Sequence, residues 1–285
     1  MIIFFNESKN LDRINKIKPV NHVNPVKKTK YKPMKIIIVI FIIALELLTL
    51  NVISQSLRKI SDVPLPDGYS RVKNQMGSIG EYFQNLDLKT ENNIVYLYNG
   101  QKKYNQSAQY AVIKMDIGKK DLQQCADAVM RLRAEYLYKT KQYDKIHFNF
   151  LSDKKPRYYK DYCKGDYSYS KFFKYMEYIF SYANTGSLLD ELQKVTSFDD
   201  IKTGDVLIQK GNPYGHAVTV MDVAKNEKGE KIYLLSQSYM PAQETHILVN
   251  PSDKKISPWY SAKSSDIITT PEWTFYKSDL RRFKE

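Results

Sequence analysis

The chain has 285 residues, 42% hydrophobic and 26% charged, with 11 Gly, 11 Pro and 2 Cys. That balance excludes general disorder, collagen, low-complexity sequence and a disulfide-stapled miniprotein, and the length allows a substantial core. The net charge of +13 is uneven: residues 1–54 hold nine Lys/Arg against three Asp/Glu, so +7 remains for everything after Ser54. With no zinc-finger spacing, basic zipper or RNP-type signature, that charge does not indicate a nucleic-acid partner.

Ile36 to Leu45 is an unbroken apolar run, flanked by Lys27, Lys28, Lys30, Lys32 and Lys35 and interrupted at Glu46. A positive n-region followed by roughly 7–15 apolar residues reads as a secretory signal. A spanning helix needs about 20 apolar residues and would be penalised by Glu46. No small-x-small cleavage site stands out near 51–56, so an uncleaved N-terminal anchor stays open. Met34-Lys35 before the run makes a normal short n-region by itself, which sets residues 1–33 apart as a basic leader and 34–54 as signal peptide or anchor. Residues 55–285 then read as one exported domain, periplasmic or held at the inner membrane by the N-terminal segment.

In that domain, Val63 to Gly68 is an extended segment, and Ser78-x-x-Glu81 is a capping box for a short helix through Asn85. Ile94–Tyr98 and Tyr110–Asp116 are β-rich, the first closed by Asn99-Gly100. Asp121 is a good N-cap for a long helix through Thr140, with Leu122, Cys125, Val129, Leu132 and Tyr136 at helical spacing and Cys125 at the end of its first turn. A short β-like run follows at 146–150. Between Tyr158 and Tyr182 aromatics crowd the chain, and from Ser168 a second helix presents Phe172, Tyr175, Met176, Ile179 and Ala183 on one face. Such a stripe reads as core first and as a sugar-stacking surface second. Ser187 is a candidate cap for a third helix, and 197–200 for one more turn.

The last third changes period. Asp205–Gln209, His216–Ala224 and Ile232–Gln237 are strand candidates joined by Gly-containing turns, which pair antiparallel. Thr245–Val249 and Trp273–Tyr276 read as edge strands. The expectation is a single α+β domain with a helical Tyr-rich insertion.

Phosphate-loop, dinucleotide and serine-elbow motifs are absent, and His147, His216 and His246 lack metal-ligand spacing, so no cofactor or metal is expected. What remains is a Cys in the first turns of a long helix and a His opening a later strand. A helix N-terminus lowers a thiol pKa and offers N–H groups to an oxyanion, a neighbouring imidazole takes the proton, and a third polar group orients it. Cys125, His216 and Gln237 are the candidates. The same residues have bland readings. Cys125 lies on an apolar stripe and suits the core, or pairs with Cys163 in an exported chain. Gln237 can simply satisfy backbone groups. His147 and His246 read as structural.

Gly204-Asp205 opening one strand, Gly215-His216 opening the next, and Gln237 on a third resemble papain-like cell-wall hydrolases of the NlpC and CHAP types. That resemblance implies a helix packed on an antiparallel sheet and a cysteine amidase or peptidase that cuts cell-wall peptides. Gln124-Cys125-Ala126-Asp127 departs from the usual Asp-Cys-Ser-Gly. The alternative is a non-catalytic envelope protein that holds glycan or another envelope component. Over nearly the whole domain, the phrases VPLPDGY from Val63, LQQCADAVMRLRAEYLY from Leu122, HFNF from His147, SQSYMPAQ from Ser236, SPWYSA from Ser257 and TPEWTF from Thr270 are similar to an exported bacterial family, domain of unknown function 4846. That likeness implies a lineage and a compartment, and no activity.

Overall fold

The computed structural model describes residues 57–211 and 213–284, all within one compact unit. The basic leader and the apolar run at 36–45 lie outside these residues. Among the described residues no helix is long and apolar enough to cross a membrane.

The elements run β1 (Tyr69–Arg71), α1 (Ile79–Gln84), β2 (Gln109–Val112), α2 (Cys125–Lys139), β3 (His147–Asn149), β4 (Pro156–Tyr158), α3 (Tyr159–Cys163), α4 (Tyr169–Phe180) and α5 (Thr185–Glu191). They continue with β5 (Leu192–Lys194), β6 (Val206–Gln209), β7 (His216–Asn226), β8 (Lys231–Gln237), β9 (His246–Leu248), β10 (Tyr260–Ser261), β11 (Ile267–Thr269), β12 (Thr274–Tyr276) and β13 (Leu280–Phe283). The main sheet is ordered β2-β9-β8-β7-β6-β13-β5, with β1 added beside β7 and β10 beside β8, every pair antiparallel. The expectation of an α+β domain built on an antiparallel sheet holds.

Both faces of that sheet are covered, which is why β6, β7 and β8 are apolar on both sides of the pleat. Val206, Ile208 and Ala217 share a core with Ala126, Val129 and Met130 of α2 and with Phe172, Met176 and Leu188 of α4 and α5. Leu207, Val218, Val220 and Leu235 point the other way, onto Ile268, Phe275 and Leu280. The register of β7 on β8 slips between Val220 and Asp222. Beyond this bulge Met221 and Ala224 join a third cluster with Leu132, Phe83 and Trp259, and Asp222, fully enclosed, takes Arg71 Nε at 2.7 Å and Gln84 Nε2 at 2.8 Å. The Tyr-rich insertion supplies core: Phe172, Tyr175, Met176 and Ile179 are all buried on α4.

Several local expectations change. Ser78 does cap α1, accepting from Glu81 N at 3.3 Å, but the Glu81 carboxylate takes Gly77 N at 2.6 Å, one residue before the cap. Asn184, not Ser187, caps α5; its Oδ1 accepts from Gly186 N and Ser187 N, while Ser187 Oγ accepts from Asn184 N. Ile94–Tyr98 makes only single bridges, Tyr96 to Lys102 and Leu97 to Gln243. The 245–249 segment is not an edge: β9 lies between β8 and β2, because Gln109–Val112 returns from far upstream to cover it. Thr274–Tyr276 pairs with β11 in a separate two-stranded sheet that lies over the main one through Phe275.

Candidate functional site

The long helix begins three residues later than its best cap predicts. Asp121 spends its carboxylate elsewhere, accepting from Ala242 N at 2.6 Å and Gln124 Nε2 at 3.1 Å. Gln124 is extended (φ −87°, ψ −160°) and its N–H is held by Asp127 Oδ2 at 3.1 Å, so the first helical residue is Cys125. The N–H groups of Cys125 and Ala126 thus belong to the first turn, where no intrahelical acceptor exists. Buried Arg131 fixes this end of the helix, donating to Glu135 Oε1 (2.8 Å), Gln123 Oε1 (3.0 Å) and Tyr169 Oη (2.9 Å). Ser238 Oγ, 3.0 Å from Gln123 O, ties the segment after β8 to the same point.

Cys125 is 7% exposed and lines a cavity of about 420 Å³ with Asp127, Thr185, Lys210, Tyr214 and Met240. Neither it nor Cys163 is in a disulfide, so the bridge left open by the sequence is not formed. The thiol is 3.9 Å from Gly215 O. Its pKa is pushed up by burial and then by the Asp127 carboxyl, while the N–H groups of Ala217 and Ala126 and the Thr185 hydroxyl pull the other way. The sulfur therefore sits against the backbone on both sides of His216, and its hydrogen bond goes to a carbonyl rather than to the imidazole. Asp127 is itself buried, with Oδ1 unpartnered, and desolvation raises its carboxyl to about 8.

His216 and Gln237 are brought into direct contact. Nε2 of the imidazole is 3.0 Å from Gln237 Oε1, with both residues 1% exposed. The ring is packed by Tyr239 (4.8 Å between centroids), Trp273 (5.2 Å) and Phe275 (5.7 Å). Trp273 Nε1 donates to Gln209 Oε1 at 2.9 Å, and Gln209 is the β6 partner of His216, so the ring is clamped through the ladder. Burial lowers the imidazole to about 4 against the opposing pull of Gln237 and Glu272. His246 also reaches this network, with Nε2 3.5 Å from Gln237 Nε2, while His147 stands apart beside Glu191. Among the described residues, no group of three His, Cys, Asp or Glu is placed to hold a metal ion.

Residues 60–282 match the family described as Domain of unknown function (4846). The chain belongs to that family. No curated protein and no solved structure matches it. In this member of the domain of unknown function 4846 family, three of the phrases quoted above converge on one place. LQQC ends on Cys125, SQSYMPAQ carries Gln237, Tyr239 and Met240, and TPEWTF carries Glu272, Trp273 and Phe275. Asp127, Thr185, Tyr239, Glu272 and Trp273 were not singled out from the sequence as site residues. Membership of those phrases was the available signal for four of them; Thr185 had none.

Proposed function

We propose that this domain is an exported, papain-like cysteine amidase or peptidase that acts on the peptide part of the cell wall. The observation that carries the reading is the juxtaposition at the start of β7: a free thiol at the first position of a 15-residue helix, at a cavity wall and against the backbone flanking a histidine whose Nε2 is held by a glutamine. The order helix, Gly-Asp strand, Gly-His strand and Gln strand supports the papain-like comparison, and the basic leader supports export.

In this reading Gln237 Oε1 accepts from His216 Nε2–H, leaving Nδ1 as the basic nitrogen. With the thiol pKa raised and the imidazole pKa lowered, the resting pair is neutral. The S–H proton passes to Nδ1 as Sγ bonds to the amide carbonyl carbon, and the carbonyl π electrons move onto oxygen. The resulting oxyanion is held by first-turn N–H groups at 125 and 126. Collapse expels the amine, which takes the proton from the imidazolium and leaves a thioester. Water, deprotonated by Nδ1, hydrolyses the thioester and regenerates the thiol. A cavity with Lys210, Thr185, Tyr214 and Met240 in its wall offers both polar and apolar contacts to a peptide.

The test is incubation of the purified protein with peptides released from cell wall, reading new amines and fragment masses. Cleavage by wild type and none by Cys125→Ala is expected. Equal cleavage by both, or none by wild type across a panel of wall peptides, overturns the reading; glycan retention without cleavage favours the binding alternative.

A further inference from the structure

We propose that Glu272 and His246 are positioning residues that fix the Gln237 amide and, through it, the proton of His216 on Nε2. The catalytic value of this arrangement rests on the function proposed above; the arrangement itself does not.

The argument is a count of donors and acceptors around one buried amide. Gln237 Nε2 carries two hydrogens. One is donated to Glu272 Oε2 at 2.6 Å. The same carboxylate also accepts from Lys103 Nζ on Oε2 at 2.6 Å and from Asn105 Nδ2 on Oε1 at 3.1 Å, so it is held as an acceptor. The other hydrogen points toward His246 Nε2 at 3.5 Å, a longer and weaker contact. His246 Nδ1 lies 2.8 Å from Glu244 O, and a carbonyl only accepts, so Nδ1 must carry a hydrogen. Full burial keeps this imidazole neutral, lowering it to about 3. Its Nε2 is then an acceptor.

Two acceptors therefore face one end of the Gln237 amide, and only its NH2 end can meet them. The oxygen is forced toward His216, 3.0 Å away, where it can be matched only by an N–H. Flipping the amide would set its oxygen against a carboxylate oxygen and a ring lone pair, with Gln237 and both histidines buried, where unmatched polar groups are expensive. The His216 tautomer is thus dictated from the far end of a chain, Lys103 to Glu272 to Gln237 to His216, whose first two members lie outside the catalytic trio. Glu272 stands beside Trp273, which packs on the same ring, so one loop both orients the amide and covers the imidazole.

The test is the ring 15N spectrum of His216 at neutral pH, in wild type and in Glu272→Gln and Glu272→Ala. In wild type the Nε2–H tautomer should exceed about nine-tenths. Glu272→Gln keeps the shape but offers an amide that can turn either end to Gln237, so the Nδ1–H fraction rises severalfold; in Glu272→Ala it rises further. An unchanged population in the isosteric Glu272→Gln variant overturns the proposal, whether or not Glu272→Ala folds. On a cleaved peptide, Glu272→Ala is expected to lower kcat about 10–100-fold with KM within about twofold, and Glu272→Gln to recover part of the loss. If wild type cleaves no peptide while the tautomer still shifts, the enzyme reading fails and this inference stands.

Discussion

Cys125 opens α2 and Cys163 closes α3. Both thiols are free and buried, but their surroundings are opposite in kind. Around Cys125 the backbone presents first-turn N–H groups, the Ala217 N–H and the Thr185 hydroxyl, and the residue forms part of a cavity wall. Cys163 is 1% exposed, its sulfur 3.4 Å from Lys160 O within its own helix, and it shares a core with Tyr159, Tyr175 and Met176. A helix start offers donors and a helix end offers acceptors. The same side chain therefore meets donors at a cavity wall in one helix and apolar packing in the other.

The comparison breaks most visibly in activity. On a cleaved wall peptide, Cys125→Ala should lose at least about 10⁴-fold in kcat/KM, as removal of a nucleophile does, whereas Cys163→Ala stays within about twofold. A comparable loss in both variants, with both folded, would erase the distinction.

Asp127 sharpens it through pH. Its folded carboxyl titrates at about 8 because it is desolvated, against an ordinary value of 3.8. Between those values the folded protein holds a proton that the unfolded chain releases, so stability falls as pH rises through this window. Relative to Asp127→Asn, wild type should lose on the order of 4 kcal/mol between pH 4 and 8, read from urea midpoints. Removing the carboxyl also removes its push on the Cys125 thiol, so alkylation of Cys125 by iodoacetamide moves to lower pH. An alkylation profile unchanged by the substitution would contradict the electrostatic account.

His216 works with the opposite sign. Its imidazole is lowered to about 4 from 6.5, so between these values the unfolded chain binds a proton that the folded protein refuses. Stability falls as pH falls through that window. Relative to His216→Gln, wild type should lose about 3 kcal/mol from pH 6.5 to 4; parallel stability curves for the two proteins would show that this ring is not held neutral. The smallest effect belongs to Cys163→Ala, a core truncation expected to cost about 1–2 kcal/mol by chemical denaturation with no change in the pH profile of cleavage.

The strands that carry His216 and Gln237 were legible because local patterns specify them: Gly-Asp and Gly-His at strand starts, and short apolar runs separated by Gly-containing turns. Cys125 was legible as a helix-start residue, though one turn too far in. Asp121 has the stronger capping preference, but its carboxylate is recruited by Ala242 N, a partner in the last third of the chain. The interior place of β9 was hidden because its outer neighbour, β2, comes from more than a hundred residues upstream. Glu272 gave no periodic signal, only its place in the phrase TPEWTF; its contacts are with two neighbours, Lys103 and Gln237, that no local rule connects. Local preference decided the elements, and long-range polar contacts decided which of them meet.

The link between the start of α2 and the segment after β8 has a consequence for how the protein is made. Asp121 to Ala242 and Ser238 to Gln123 join positions more than a hundred residues apart. Until the chain has passed Ala242, Cys125 has been synthesised without the contacts that fix the start of its helix. Closing so long a loop is a late and cooperative event in folding. The surroundings of the Cys125 sulfur are therefore completed only after most of the domain has been made.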